Sequence, residues 1–255
     1  MRIVSLTCSN TEIVCALGAA ERLVGVDDHS DFPVEVVTAL PRVGPDLQID
    51  PDKVAALEPD LVLASLTVPG HEKVVASIEA RGLPAIAPAP ETLDDVYGDI
   101  RDIAGRLGLE ERGEQLVAEM QAAMPPVSVP DRPRILVEWW PKPVIVPGRR
   151  SWVTDLIRLA GGENPAGDWD VLSTPITDDQ AQELRPDAAV ISWCGVPFEK
   201  YRPDVVERRE AWKSLPALVG GQIHSVPEAF LGRPGPRLVD GYRALRAIVE
   251  GLATG

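Results

Sequence analysis

The feature that most restricts this chain is a repeat of one segment at an offset of 127 residues. Residues 49–73 read IDPDKVAALEPDLVLASLTVPGHEK, and residues 176–200 read ITDDQAQELRPDAAVISWCGVPFEK. Aligned without gaps they share Ile49/Ile176, Asp52/Asp179, Leu57/Leu184, Pro59/Pro186, Asp60/Asp187, Ser65/Ser192, Glu72/Glu199 and Lys73/Lys200. Both copies spell a helix, a Pro-Asp turn, a buried strand, a loop and a second helix. One matched Pro-Asp would mean little, because helix, Pro-Asp, strand is common in α/β folds. The flanks match as well: Arg2-Ile3-Val4 opens the first half as Arg134-Ile135-Leu136 opens the second. A weaker echo pairs Leu17-Gly18-Ala19-Ala20-Glu21 with Leu159-Ala160-Gly161-Gly162-Glu163. The expectation is two related lobes.

Strands alternating with helices predict an α/β architecture with a largely parallel sheet in each lobe. Arg2 to Leu6, Leu23 to Val26 and Leu61 to Ala64 read as strands of the first lobe. Ser9-Asn10-Thr11-Glu12 fits a capping box that opens a helix, with Gly18 as its stop. Asp50-Pro51 opens another, with Asp as cap and Pro in the first turn. Apolar residues at 93, 96, 97, 100, 103 and 104 form a helical stripe. Gly105 and Gly108 break it, a further helix covers Glu110 to Met124, and Pro125-Pro126 ends it. The predicted organisation is a lobe over 1–90, a helical linker and connector over 91–133, and a lobe over 134–255. These are two Rossmann-like lobes with mostly parallel sheets, joined by a long α-helix. A helix is stiff, so lobes joined this way are expected to rock only slightly.

Composition narrows the partners. Of 255 residues, 39 are Asp or Glu and 25 are Lys or Arg, a formal net charge of −14. Phosphate recognition needs a basic face, so nucleic acid is excluded as the main partner, and an anionic membrane surface is disfavoured for the same reason. No apolar run reaches the ~18–20 residues of a membrane helix. MRIVSLTCSN does not read as a secretion signal, which needs an apolar stretch of roughly 7–15 residues. Either the chain works in the cytoplasm or a leader has been removed from it. Cys8, Cys15 and Cys194 have no metal-site spacing and read as buried free thiols.

No GxSxG, phosphate loop, GxGxxG or HExxH is present, and the scattered His and Cys form no cage. Ligand-facing loops of such lobes lie beyond the carboxyl ends of the strands. The sequence places them at Thr7–Asn10, Asp27–Phe32, Ser65–Gly70, Trp139–Lys142, Trp193–Phe198 and Pro227–Arg233. All six tryptophans fall in the second half. Trp139, Trp140 and Trp193 sit on these loops and Phe230 follows the last strand, whereas Trp152 and Trp212 sit on helices and read as core. Aromatic platforms suit a large flat ligand held without covalent chemistry. At least one of the neighbours Trp139 and Trp140 should face the ligand, since adjacent residues of an extended chain point opposite ways.

The pieces "RIVSL…SNTEIV.ALGA.ERLVGVD..SDFP", "PRVG…ID.DKVAALEPDLVLAS", "LAGGEN" and "RPD..VIS", in this order, resemble the helix-linked (class III) solute-binding proteins of ABC importers. That class handles cobalamin, haem and iron–siderophore chelates, and the likeness is greatest to its cobalamin-binding (BtuF-like) branch. The resemblance implies a monomeric receptor, not an enzyme, with no intrinsic cofactor. It would hold cobalamin or a related corrinoid in a cleft between its lobes and deliver it to a permease dimer with its ATPase. It implies a periplasmic or otherwise extracytoplasmic location. His29 lies where the branch usually has an aromatic contact, and its imidazole is a candidate axial contact to cobalt. The implied ligand contacts are His29, Phe32, Ser65, Trp139, Trp140, Trp193, Phe230 and Arg233. Glu72 and Glu199, matched by the repeat, are the implied acidic pair for docking on permease arginines. A haem or iron–siderophore receptor, or a cytoplasmic corrinoid carrier, remains open. Related lobes also occur in nitrogenase-like metalloenzymes, so the fold alone leaves catalysis open.

Overall fold

A computed structural model describes residues 1–253. The chain divides into two compact units. The first is Met1–Pro90 with Asp95–Glu119, and the second is Glu91–Asp94 with the chain from Met120 onward.

The first unit contains β1 (Ile3–Ser5), α1 (Cys8–Ala16), β2 (Leu23–Val26), α2 (Val34–Val37), α3 (Pro51–Ala56), β3 (Leu61–Leu63), α4 (His71–Glu79) and β4 (Ala85–Ile86). Helices α5 (Leu93–Leu107) and α6 (Glu110–Ala123) follow, and most of each belongs to this unit. Its strands run β2-β1-β3-β4, all parallel. β1 and β3 are buried at every position, which is why they read as apolar runs rather than alternations. Gly108, at φ +68°, turns the chain between α5 and α6. A Cβ on Gly113 would fall 2.5 Å from that of Ala104, so this glycine permits the close approach of the two helices.

The second unit contains β5 (Ile135–Glu138), β6 (Trp140–Pro141), β7 (Val144–Pro147), α7 (Trp152–Leu159), β8 (Ser173–Ile176), α8 (Asp178–Leu184), β9 (Ala188–Ile191), α9 (Pro203–Glu207), α10 (Pro216–Val219), β10 (Ile223–Ser225), α11 (Glu228–Leu231) and α12 (Leu238–Ala253). A parallel sheet β10-β9-β5 is accompanied by an antiparallel one, β6-β7-β8. The antiparallel sheet is an addition that the repeat did not signal.

The repeat is visible in the backbone. α3 and α8 each end on a left-handed residue, Glu58 at φ +46° and Arg185 at φ +40°, equivalent at the same offset of 127. Glycine is the usual occupant of such a helix stop; here the following proline does the stopping in both copies. Asp60 then accepts a hydrogen bond from Arg2 N at 2.6 Å, and Asp187 accepts one from Arg134 N at 2.8 Å. Each Asp N–H donates back to the same residue's carbonyl, at 2.8 Å in both units. α1 and α7 end alike too. Ala19 N donates to Val14 O at 3.1 Å, and Gly162 N donates to Ile157 O at 2.9 Å, the longer-range bond of a Schellman stop. This registers Ala19 with Gly162, one residue away from the pairing predicted from sequence. The fourth strand of the first unit, β2, survives in the second as a single bridge between Arg134 and Glu163.

One predicted start is corrected. α1 begins at Cys8, with Thr7 at the cap position and no side-chain cap. The capping box does not form because the helix already starts at Cys8, which puts Ser9 inside its first turn. Ser9 Oγ lies 3.3 Å from Thr7 Oγ1, and Thr11 Oγ1 lies 2.8 Å from both Ser5 Oγ and Ser30 Oγ. By contrast, Asp50 caps α3 as its sequence predicts, accepting from Asp52 N and Lys53 N.

Candidate ligand-binding site

In the first unit, the loop after β2 is held from beneath. Asp27 is fully buried. Its carboxylate accepts bonds from His29 N at 2.9 Å and Ser30 Oγ at 2.5 Å. Burial pushes its pKa above the usual carboxylate value, against the pull of these two bonds. Arg42 closes the loop by donating to the carbonyls of Asp27 and Ser30, both at 2.7 Å. On this fixed loop the His29 side chain is 58% exposed, and Phe32 is exposed.

Asp46 lies between two imidazoles of the same unit. Its Oδ1 is 3.7 Å from His29 Nε2, and its Oδ2 is 3.5 Å from His71 Nε2. His71 is buried, and its Nδ1 accepts from Val68 N at 3.3 Å. An acceptor Nδ1 puts the ring proton on Nε2, toward Asp46. Contact with His71 holds the Asp46 carboxyl below its usual pKa, against partial burial. Leu47, Leu66 and Val68, on the loops that carry Asp46 and lead into α4, are exposed apolar side chains. Ser65 is buried and shares a 2.9 Å bond with Thr67, so it shapes the loop instead of facing outward.

In the second unit, Trp193 differs most from expectation. It is 5% exposed and belongs to the core with Tyr201 and Trp212. Its Nε1 donates to Glu138 Oε1 at 2.9 Å. Glu138, also buried, is bracketed by Arg209 at 2.5 and 2.9 Å. Arg209 lies 4.5 Å from the ring centre of Trp212, whose Nε1 donates to Asp178 at 2.8 Å. A buried carboxylate needs partners, and the indole is one of them; that demand draws Trp193 inward. The open aromatics are Trp140, on the β6–β7 hairpin, and Phe198, which packs edge-on to Tyr201. Trp139 is half-buried, and its N–H donates to Ile145 O at 2.8 Å. Phe230 is half-buried on α11 with the Arg237 guanidinium 5.1 Å from its ring. Arg233 lies 3.2 Å from Glu228 as a mostly buried pair. Tyr201 Oη donates to Trp193 O and accepts from Glu228 N, both at 3.1 Å, and burial raises its phenol pKa well above the ordinary value.

Glu72 is exposed in the first turn of α4, where it accepts from Gly70 N at 2.8 Å. That bond and its own backbone N–H hold its carboxyl below the usual value. Glu199 is exposed too, but on a single 3-10 turn, Phe198–Lys200, in place of the predicted helix. The turn stops because Tyr201 is extended and Pro203 begins the next helix. Sequence reasoning missed Asp46, His71 and Tyr201 as site residues, and placed Phe198 on a ligand-facing loop without singling it out. The repeat held one usable signal, since His71 and Phe198 occupy equivalent positions in the two copies. Among the described residues, no group of three or more His, Cys, Asp or Glu could hold a metal ion. No helix there is long and apolar enough to cross a membrane.

Two parallel α/β units built on one plan, each baring aromatic or apolar side chains on its strand-end loops, make a small-molecule binding protein. The chain belongs to the periplasmic binding protein family, whose match runs over residues 3–229. It is a substrate-binding protein of an ABC importer, a binding protein and not an enzyme, and its partner is a permease. It is 27% identical over 257 residues to the uncharacterized ABC transporter substrate-binding lipoprotein YvrC of Bacillus subtilis, spanning 96% of this chain and 78% of that one. It is 24% identical over 254 residues to the vitamin B12-binding protein of Vibrio parahaemolyticus, spanning 98% and 87%. Among solved structures, it is similar to the apo periplasmic heme-binding protein RhuT from Roseiflexus sp. RS-1, at 28% identity and TM-score 0.83 over 99% and 98% of the two chains. The fold is shared with the vitamin B12-binding protein BtuF of Vibrio cholerae, at 22% identity and TM-score 0.75 over 100% and 98%.

Proposed function

We propose that this receptor takes cobalamin or a closely related corrinoid as its cargo, outside the cytoplasm, and delivers it to the permease. The observation that carries the reading is the set of open aromatic rings at the strand-end loops, Phe32, Trp140 and Phe198. Rings held open on ordered loops suit a broad, flat, partly apolar ligand. Vitamin B12-binding relatives that align along nearly the whole chain support the corrinoid over other flat cargo. The proposed contacts are His29, Phe32, Trp139, Trp140, Phe230 and Arg233, with Ser65 and Trp193 shaping their loops from beneath. Glu72 and Glu199 are the proposed docking pair. A haem cargo is the second reading, favoured by the likeness to RhuT.

The test is calorimetric titration with cyanocobalamin, hydroxocobalamin, cobinamide, haemin and a ferric siderophore. A 1:1 complex with the corrinoids is expected. Tight binding of haemin or the siderophore, with no heat from any corrinoid, overturns the cargo.

A further inference from the structure

We propose that the Tyr201 hydroxyl clasps together two strand-end loops of the second unit and so positions the rings of Phe198 and Phe230 for the cargo. Tyr201 is only 8% exposed, so it acts through those rings, as a positioning residue. This rests on the cargo reading above and adds what holds its aromatic rim in place.

The clasp stands where the backbone no longer joins the loops. β5 and β9 stay paired past their ends, with Ser192 N donating to Glu138 O at 3.0 Å and Cys194 N to Trp139 O at 3.1 Å. Between β9 and β10 the last backbone bond is Val226 N to Ile191 O at 3.0 Å, and among the described residues no backbone bond links the two loops beyond it. Tyr201 Oη bridges them instead. It donates to Trp193 O and accepts from Glu228 N, both at 3.1 Å. The first bond closes the loop that carries Phe198 back on its own start. The second supplies what α11 lacks: its cap residue, Pro227, makes no side-chain cap bond, and the first N–H groups of a helix have no partner inside it. Burial raises the phenol pKa, so the proton that makes the first bond stays on Oη.

Each clasped loop carries a ring. Phe198 meets Tyr201 edge-on with ring centres 5.2 Å apart, and Phe230 lies two residues after Glu228 on the short α11. The Glu228 carboxylate, 3.2 Å from Arg233, ties the rest of that loop to the same turn. The repeat shows that the device belongs to the second unit. Tyr201 matches Val74 at the offset of 127, and Val74 is a buried residue of α4. α4 runs through this position as a continuous helix, whereas the second unit has a single 3-10 turn, Phe198–Lys200. One turn has few backbone bonds of its own, and the hydroxyl adds the constraint that the helix provides in the first unit. Rings fixed before the cargo arrives remove an ordering cost from binding.

The experiment compares wild type, Tyr201→Phe, Phe198→Ala and the double variant. Tyr201→Phe keeps the ring and removes only the hydroxyl, and Phe198→Ala alters an exposed ring. Hydrogen exchange, read by mass spectrometry without cargo, follows residues 194–200 and 227–233. Calorimetry with cyanocobalamin, haemin and a ferric siderophore gives affinity. Tyr201→Phe should speed exchange in both segments while β9 and β10 keep wild-type protection. It should weaken cargo binding by about 3- to 10-fold, the scale of ordering a side chain on binding. In the Phe198→Ala background the same change should weaken binding by a factor about twofold smaller or less, because one ring it positions is gone. Unchanged exchange in either segment overturns the clasp. Faster exchange with wild-type affinity is the mark of a merely structural role and overturns the proposal, as does an undiminished effect of Tyr201→Phe in the Phe198→Ala background. If only haemin or the siderophore binds, the corrinoid reading fails on its own; the same losses with that cargo then sustain the positioning role, and their absence overturns it. If none of the three binds, both fall.

Discussion

Replacing Trp193 separates a core residue from a cargo contact, because the two roles predict opposite pairs of measurements. Trp193→Phe keeps a ring in the core but removes the indole N–H that bonds Glu138 at 2.9 Å. A hydrogen bond to a charged group is worth about 1.5–3 kcal/mol. Arg209 still brackets the carboxylate, so the lower end applies. Trp193→Ala also empties the space the indole fills, a loss of about 3–5 kcal/mol for a buried Trp. The assay is guanidinium unfolding followed by far-UV circular dichroism, with each unit's transition fitted separately because two units need not unfold together. Calorimetry on the folded protein reports cargo affinity. The expected result is a second-unit transition that weakens in Trp193→Phe and weakens further in Trp193→Ala, with affinity in Trp193→Phe within a few-fold of wild type. Wild-type stability in Trp193→Phe, together with a loss of affinity worth about 1–3 kcal/mol as for an interfacial aromatic anchor, would refute the reasoning.

Three further outcomes follow from local geometry. Gly241→Ala should lower the melting temperature, because its Cβ would lie 2.1 Å from Phe230 O and overpacking costs about 1–3 kcal/mol; an unchanged melting temperature would contradict the close α11–α12 contact. Asp99 has its pKa raised to about 6 by burial, then by Asp95 and Asp102. The folded state therefore holds a proton that the unfolded state has released between pH 4 and 6, so stability falls as pH rises through that window. Asp99→Asn should flatten this dependence and stabilise the neutral-pH protein, as read from melting temperature against pH. Glu72→Ala with Glu199→Ala should leave cargo affinity unchanged and weaken capture by the permease in a pull-down across a salt series; wild-type capture at every salt concentration would remove both from docking.

Much of the architecture was legible because it rests on backbone signals. Asp50-Pro51 and the two Pro-Asp turns fix local geometry regardless of surroundings, and they mark α3, β3, α8 and β9 within a residue or so. The misses arise where tertiary bonding overrides local chemistry. Ser9 looks like a helix cap, yet the helix already starts at Cys8, and the buried hydroxyl cluster under the β2 loop holds Thr11 against Ser5 and Ser30. Trp193 follows a strand just as a rim aromatic would. Only its partner Glu138, 55 residues earlier, decides that it turns inward. The β6–β7–β8 sheet was hidden because Trp140-Pro141 and Val144–Pro147 are too short to show alternation. Asp46 reads in the sequence only as a polar loop residue, and it takes the fold to bring His29 and His71 to either side of it.

The left-handed residues at the ends of α3 and α8 bear on ancestry. For side chains other than glycine, that conformation costs roughly 1–2 kcal/mol; Glu58 and Arg185 share no side-chain chemistry, and what they have in common is the Pro-Asp turn that follows each. A backbone quirk kept at matching places, while the side chains have diverged from acid to base, is best understood as inheritance from one duplicated gene. The copies have since specialised. The first has a fourth strand, whereas the second has a single bridge in its place and a hairpin bearing Trp140. The two copies differ at their loops and edges and agree in the Pro-Asp turn at the root of each.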